Sequence, residues 1–216
     1  MSDTSSAQAV HVVGVIPVGA RPVGLAADGN DRVFVTNSGD DTVSVIDSAT
    51  DTVKETIQVG SAPQSVAIDP QFGAYVADGG GATVSVLAPE PGGFPVTIPV
   101  GQRPTGIAID HERGRVYVAN SGSHTASVID ATTGGVHDVD VLAPPIAVAL
   151  DPRGDACVSR ADGTLRIIDA ASHSVTATVP VGSAAVAGVD YEPHSERVYV
   201  ADGADGTVSV LDLAGG

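Results

Sequence analysis

The stretch RVYVANSGSHTASVID, Arg115 to Asp130, holds two strand-like runs joined by a polar, glycine-containing turn. It recurs as RVFVTNSGDDTVSVID (Arg32 to Asp47), AYVADGGGATVSVLA (Ala74 to Ala88), ACVSRADGTLRIID (Ala156 to Asp169) and RVYVADGADGTVSVLD (Arg197 to Asp212). One supersecondary unit has been copied five times, and that repetition decides the architecture ahead of any other feature.

Outward from this hairpin, the segments that close each repeat are also alike: TVKETIQVG (Thr52 to Gly60), FPVTIPVG (Phe94 to Gly101), VHDVDVL (Val136 to Leu142) and SVTATVPVG (Ser174 to Gly182). Their ends at Gly60, Gly101 and Leu142 are spaced 41 residues apart, and Gly182 follows after 40, which leaves no room for a linker or second domain. Each copy contains four apolar segments separated by Asp-Pro, Asn-Ser-Gly, Ala-Asp-Gly or Asp-Ala-Thr turns, the spacing and chemistry of short β-strands. Four antiparallel strands per repeat of about 40 residues describe a propeller blade. The first strands (GLAAD, SVAID, GIAID, AVALD, AGVD) are apolar on both faces and rich in Gly and Ala, as innermost strands near an axis should be.

The predicted fold is therefore all-β, a five-bladed β-propeller spanning residues 10–213, with repeats at about 19–60, 60–101, 101–142, 142–182 and 182–213 and a disordered stretch over residues 1–9. The last repeat lacks a fourth strand. The orphan segment VHVVGVIPV, residues 10–18, is expected to supply it and to close the ring.

The strings VTN, VAN and VAD followed by TVSVID, with VG-x-x-P before the inner strand, resemble the YVTN family of β-propeller repeats over Val10 to Leu213. The resemblance implies the fold and little about activity, because a propeller hosts unrelated functions. Members of that family are often extracytoplasmic and have more blades; similar propellers include lyases that open macrocyclic antibiotics, yet no catalytic motif of theirs is matched here.

Acidic residues outnumber basic ones 26 to 10 for a net charge of −16, which opposes nucleic acid and anionic membrane surfaces as partners. Cys157, the single cysteine, sits where other copies carry Phe34, Tyr75, Tyr117 and Tyr199, and reads as a buried small hydrophobe. The N-terminus has no basic and apolar signal regions, so the expected location is cytoplasmic. No phosphate loop, dinucleotide fingerprint, nucleophile elbow or metal-ligating motif is present, and neither cofactor nor metal is expected.

Candidate function is sought where the copies differ, on the loops around the channel mouth. Strand-B ends carry Asn37, Asp78, Asn120, Arg160 and Asp202; the loops entering the inner strands carry Arg21 and Arg103, with Gln64 and Thr105 just past the proline. Asn and Asp there also suit Asx-turns on their own backbone. His124 is the single histidine of a B-to-C loop and, with Asp78, is the expected acid-base pair; Arg21, Asn37, Gln64, Arg103, Thr105, Asn120, Arg160 and Asp202 are the expected ligand-binding ring. Two functions stay open: a small polar or anionic ligand processed by elimination, cyclisation or hydrolysis without a redox cofactor, or a non-enzymatic binding scaffold.

Overall fold

Alternation of β-branched residues with small or polar ones, punctuated by Gly, Asp and Asn, yields nineteen strands in a computed structural model that describes residues 11–89, 92–184 and 186–213. The first sheet contains β1 (Pro22–Ala27), β2 (Arg32–Asn37), β3 (Thr42–Asp47) and β4 (Thr52–Gln58). The second is built from β5 (Pro63–Asp69), β6 (Gly73–Asp78), β7 (Thr83–Leu87) and β8 (Val96–Pro99), and the third from β9 (Pro104–Asp110), β10 (Arg115–Asn120), β11 (Thr125–Asp130) and β12 (Val136–Asp140). The fourth holds β13 (Pro145–Leu150), β14 (Ala156–Arg160), β15 (Thr164–Ile168) and β16 (Val175–Pro180), and the fifth holds β17 (Val186–Glu192), β18 (Arg197–Asp202) and β19 (Thr207–Asp212). Within each sheet the strands are antiparallel and follow chain order, which is the meander of a propeller blade.

The core lies between blades. Phe34, Val43 and Val45 of the first pack on Val66, Ala74, Val76 and Leu87 of the second. Tyr75 and Val84 meet Val116, Val118 and Ile129 of the third, and Tyr117, Ala126 and Val128 meet Val148, Ala156, Val158 and Ile168 of the fourth. Cys157, Leu165 and Ile167 then pack on Val186, Val198 and Val200 of the fifth. Because strand side chains alternate, each blade presents one apolar set to the blade before it and another to the blade after it. Gly106 shows how close the inner strands come: a Cβ there would sit 2.9 Å from the Cα of Ala147 on the next blade.

Inner strands β1, β5, β9, β13 and β17 pack side by side in that order, and no comparable packing joins β17 back to β1. The five blades form an open arc. Val23 and Leu25 on β1, and Val208 and Val210 on β19, remain more than half exposed, and Gly188, the counterpart of Gly106 on β17, has nothing within 4 Å of an added Cβ.

This corrects the expected closure. Residues 11–18 form no strand, Val12, Val13 and Val15 are more than 80% exposed, and the fifth sheet has three strands. The rotation from one blade to the next is set by side-chain volume between the sheets, and here five such steps leave the first and last blades apart, so the segment never meets β19. Residues 1–10, including the stretch expected to be disordered, lie outside the described residues.

Candidate functional site

The strand-B ends expected around the channel mouth are engaged within their own surroundings. Asn37 and Asn120 are fully buried; Nδ2 of Asn37 donates to Thr42 Oγ1 (3.0 Å) and Ser44 Oγ (2.9 Å), and Nδ2 of Asn120 donates to Thr125 Oγ1 (3.2 Å) and Ser127 Oγ (2.8 Å). Asp78 holds the same position with the polarity reversed, its Oδ2 accepting from Thr83 Oγ1 (2.8 Å) and Ser85 Oγ (2.9 Å). Asp202 accepts the backbone N–H groups of Ala204, Asp205 and Ser183. Arg160 donates from Nε to Thr164 Oγ1 (2.8 Å) and from its terminal nitrogens to Thr164 and the Val141 carbonyl, and pairs with Asp162 (3.0 Å). In every copy, then, the strand-B end binds groups of its own blade or of the loop that enters it.

Backbone closes over these side chains. A Cβ on Gly60 would lie 2.3 Å from Asp78 Oδ2, and one on Gly101 would lie 2.7 Å from Asn120 Cγ, so glycine before the inner strand is what lets the chain cover the polar end. Burial pushes the Asp78 carboxyl above the ordinary carboxylate range, against the hydroxyls of Thr83 and Ser85 and the Gly60 N–H, which act the other way. One oxygen each on Asn37, Asp78 and Asn120 is buried without a hydrogen-bond partner.

The remaining predicted residues occupy loops. Arg21 and Arg103 are exposed with left-handed φ of 51° and 52°, and their carbonyls accept the N–H and hydroxyl of Ser38 and Ser121. Gln64 Nε2 donates to the Ala62 carbonyl (3.0 Å), and Thr105 Oγ1 donates to the carbonyls of Ala119 and, across the blade boundary, Ile146 (3.0 Å). His124 is exposed at a φ of 59°; its carbonyl accepts from Val141 N, as those of Asp41 and Gly163 accept from Val59 and Val181. It stands at the left-handed corner of the B-to-C turn. Among the described residues no hydrogen bond or ion pair joins His124, Asp78 and the predicted arginines to one another.

A concave site lies elsewhere, at the outer edge between the first and second blades. This cleft of about 500 Å³ has an apolar floor of Phe34, Val45, Ile57 and Leu87, walls at Ala88, Gly92 and Gly93, and charged residues Arg32, Asp47, Lys54 and Glu55 at its rim. Its volume is within the range of small-molecule sites. Arg32 is held by Asp28 (2.6 Å), by the Pro89 carbonyl (2.7 Å) and by the face of Phe34, 5.4 Å from the ring centroid. Lys54 pairs with Asp47. Glu55, half-buried at the rim, makes no ion pair among the described residues.

The local sequence explains why the cleft is there. Asp47, Asp130 and Asp169 end or follow the third strands of their sheets, and each folds the next turn back by accepting backbone N–H groups two or three residues on. The second copy has Ala88 at that position, followed by a proline- and glycine-rich stretch, Pro89 to Pro95. No carboxylate caps the turn there, and Leu87 and Ala88 line the opening together with Gly92 and Gly93. This substitution, Ala88 in place of aspartate, is the signal of the cleft in the sequence.

Other titratable groups are spread over the opposite face: His111 Nδ1 lies 2.9 Å from Asp69 of the preceding blade, and His194 lies 3.2 Å from Glu192. Among the described residues no group of three or more His, Cys, Asp or Glu side chains is arranged to hold a metal ion.

Comparison with known proteins agrees with the fold. Residues 102–125 match the NHL repeat. No curated protein sequence gives a match. Among solved structures the chain is similar to Kuenenia stuttgartiensis hydrazine synthase, at 20% identity and a TM-score of 0.73 over 95% of this chain and 70% of that one. It is also similar to a streptogramin B lyase (13% identity, TM-score 0.75, 90% of this chain and 69% of that one) and to virginiamycin B lyase from Staphylococcus aureus (11%, 0.72, 88% and 69%). The chain is a β-propeller repeat protein.

Proposed function

We propose that this propeller is a binding module whose ligand occupies the cleft between the first and second blades, and that the ligand is an amphipathic cation: an apolar body carrying an amine or guanidinium group. The observation that carries this reading is the pairing of an apolar floor (Phe34, Val45, Ile57, Leu87) with the unpaired carboxylate of Glu55 at the rim. The two cations nearby, Arg32 and Lys54, are already engaged by Asp28 and Asp47. A ligand carboxylate would have to displace those partners, whereas a ligand ammonium meets Glu55 directly. The net charge of −16 acts in the same direction by raising the local concentration of cations.

Acid-base catalysis at the channel mouth has less behind it. His124 occupies a turn corner with its ring in solvent, and Asp78 is buried beneath a glycine, so neither has a partner poised to share a proton. The likeness to the two lyases rests on fold at 11–13% identity, and a shared fold carries no activity with it.

The test is calorimetric titration of the full chain with a series of phenylalkylamines of increasing chain length. Affinity should rise with apolar length and fall about tenfold in Glu55→Gln, a loss of one charge-assisted contact. Titrations that detect no amine binding, or binding indifferent to Glu55→Gln, would remove the basis of the proposal.

A further inference from the structure

In the first four sheets the outermost strand pairs with the third: β4 with β3, β8 with β7, β12 with β11, β16 with β15. Among the described residues strand β19 pairs with β18 alone and has no strand on its outer side. Residues 11–18 have the sequence of the missing element. Ile16-Pro17-Val18-Gly19 is identical to Ile98-Pro99-Val100-Gly101, and Pro17 also matches Pro180 of Pro180-Val181-Gly182.

These identities fix a register. In the second sheet Ile98 lies opposite Val84 and Pro99 opposite Thr83; in the fourth, Val179 lies opposite Leu165 and Pro180 opposite Thr164. The run TVSVLD of β19 corresponds to TVSVL of β7, which places Ile16 opposite Val208 and Pro17 opposite Thr207. A proline fits there because it ends an outermost strand, where no further strand requires its missing N–H. Each chain thus carries a donor segment, exposed at Val12, Val13 and Val15 and half-buried at Ile16 and Val18, and an acceptor edge exposed at Val208 and Val210, and the open arc keeps its own two halves apart.

We infer that a second copy of this chain occupies the edge: residues 11–18 of one copy add to β19 of another as its fourth strand. The donor leaves from a fixed point, because Ala20 N–H is bonded to Asp40 (2.8 Å) and its carbonyl accepts from Gly39 N, so the segment is anchored on its own first blade. An exposed edge and an exposed apolar strand are a recognised route to pairing between chains. The contact joins unlike surfaces, so it either closes reciprocally between two copies or continues from copy to copy. With a net charge of −16 on each copy, association strengthens as salt screens the repulsion.

Sedimentation velocity of the full chain from low to high micromolar concentration reads this out. The mass should exceed that of a monomer, rise with concentration and rise with added salt. Ile16→Asp alters a segment outside every sheet, so it should leave thermal unfolding of the monomer unchanged while weakening association about tenfold or more. A peptide of residues 11–19 should compete the assembly back to monomers, and a double variant Ile16→Cys with Val208→Cys should cross-link two copies on oxidation. A chain that stays monomeric at high micromolar concentration overturns the inference. So does association untouched by Ile16→Asp, or a 16–208 disulfide formed within one copy.

Discussion

Asp78→Asn should stabilise the protein at neutral pH and lose that advantage in acid. The side chain is fully buried, one carboxylate oxygen has no partner, and no cation is hydrogen-bonded to the other, which receives the hydroxyls of Thr83 and Ser85 and lies beside the Gly60 N–H. Copies one and three keep a carboxamide in the same place, and their Thr and Ser hydroxyls accept where Thr83 and Ser85 donate, which those groups do equally well. The gain is about 1 kcal/mol and comes from removing the buried charge alone, since the amide keeps the unpartnered oxygen that Asn37 and Asn120 also carry and the two hydroxyls already offset part of the carboxylate's desolvation. For a domain of this length that is a rise in melting temperature of about 2–4 °C.

The pH dependence has a definite sign. Burial raises the folded-state pKa of Asp78, so its contribution to stability is fully present below the ordinary carboxylate pKa and is lost as pH rises through the raised value. Wild type and variant should therefore unfold alike near pH 3 and diverge on approach to neutrality. Denaturant titrations at several pH values measure this. An Asn variant that is less stable at neutral pH, or whose gain persists unchanged into acid, would refute the claim that an uncompensated buried charge sits there.

Two further outcomes follow from the same structure. Gly106→Ala forces a Cβ against the backbone of Ala147 and should cost about 1–3 kcal/mol, whereas Gly188→Ala at the matching position of the last blade meets nothing within 4 Å and should be close to neutral; equal costs in denaturant unfolding would mean the ring is closed. Cys157 is fully buried and its thiol is pushed up to about 12 by that burial, so a thiol reagent should label it only at the rate of unfolding, and fast labelling of the native protein would contradict its place in the core.

How far the sequence could be read depended on whether a feature was local. Strand positions, turn types and the inner strands follow from alternation and from Asp, Asn and Gly at turn corners, so the strands were legible in a single copy of RVYVANSGSHTASVID and the five blades in its five repetitions. Ring closure was not, because it depends on the angle between blades, and that angle comes from the packing of Phe34, Tyr75, Tyr117 and Cys157 against their neighbours rather than from any strand pattern. The Asx alternative weighed for the strand-B ends describes Asp202, which caps its turn. Asn37, Asp78 and Asn120 instead bond to strand-C hydroxyls, a pairing across strands that spacing alone does not reveal. The cleft was encoded as a missing residue, Ala88 where other copies have Asp, and an absence is harder to notice than a motif.

The most direct test of the account is a map of backbone amide shifts of the 15N-labelled full chain during titration with a phenylalkylamine that binds. The account predicts perturbations at Arg32, Phe34, Glu55, Ile57 and Leu87, with the amides of Arg21, Arg103 and His124 unmoved. Shifts concentrated at Arg21, Arg103 and His124 would return the site to the channel mouth and contradict it.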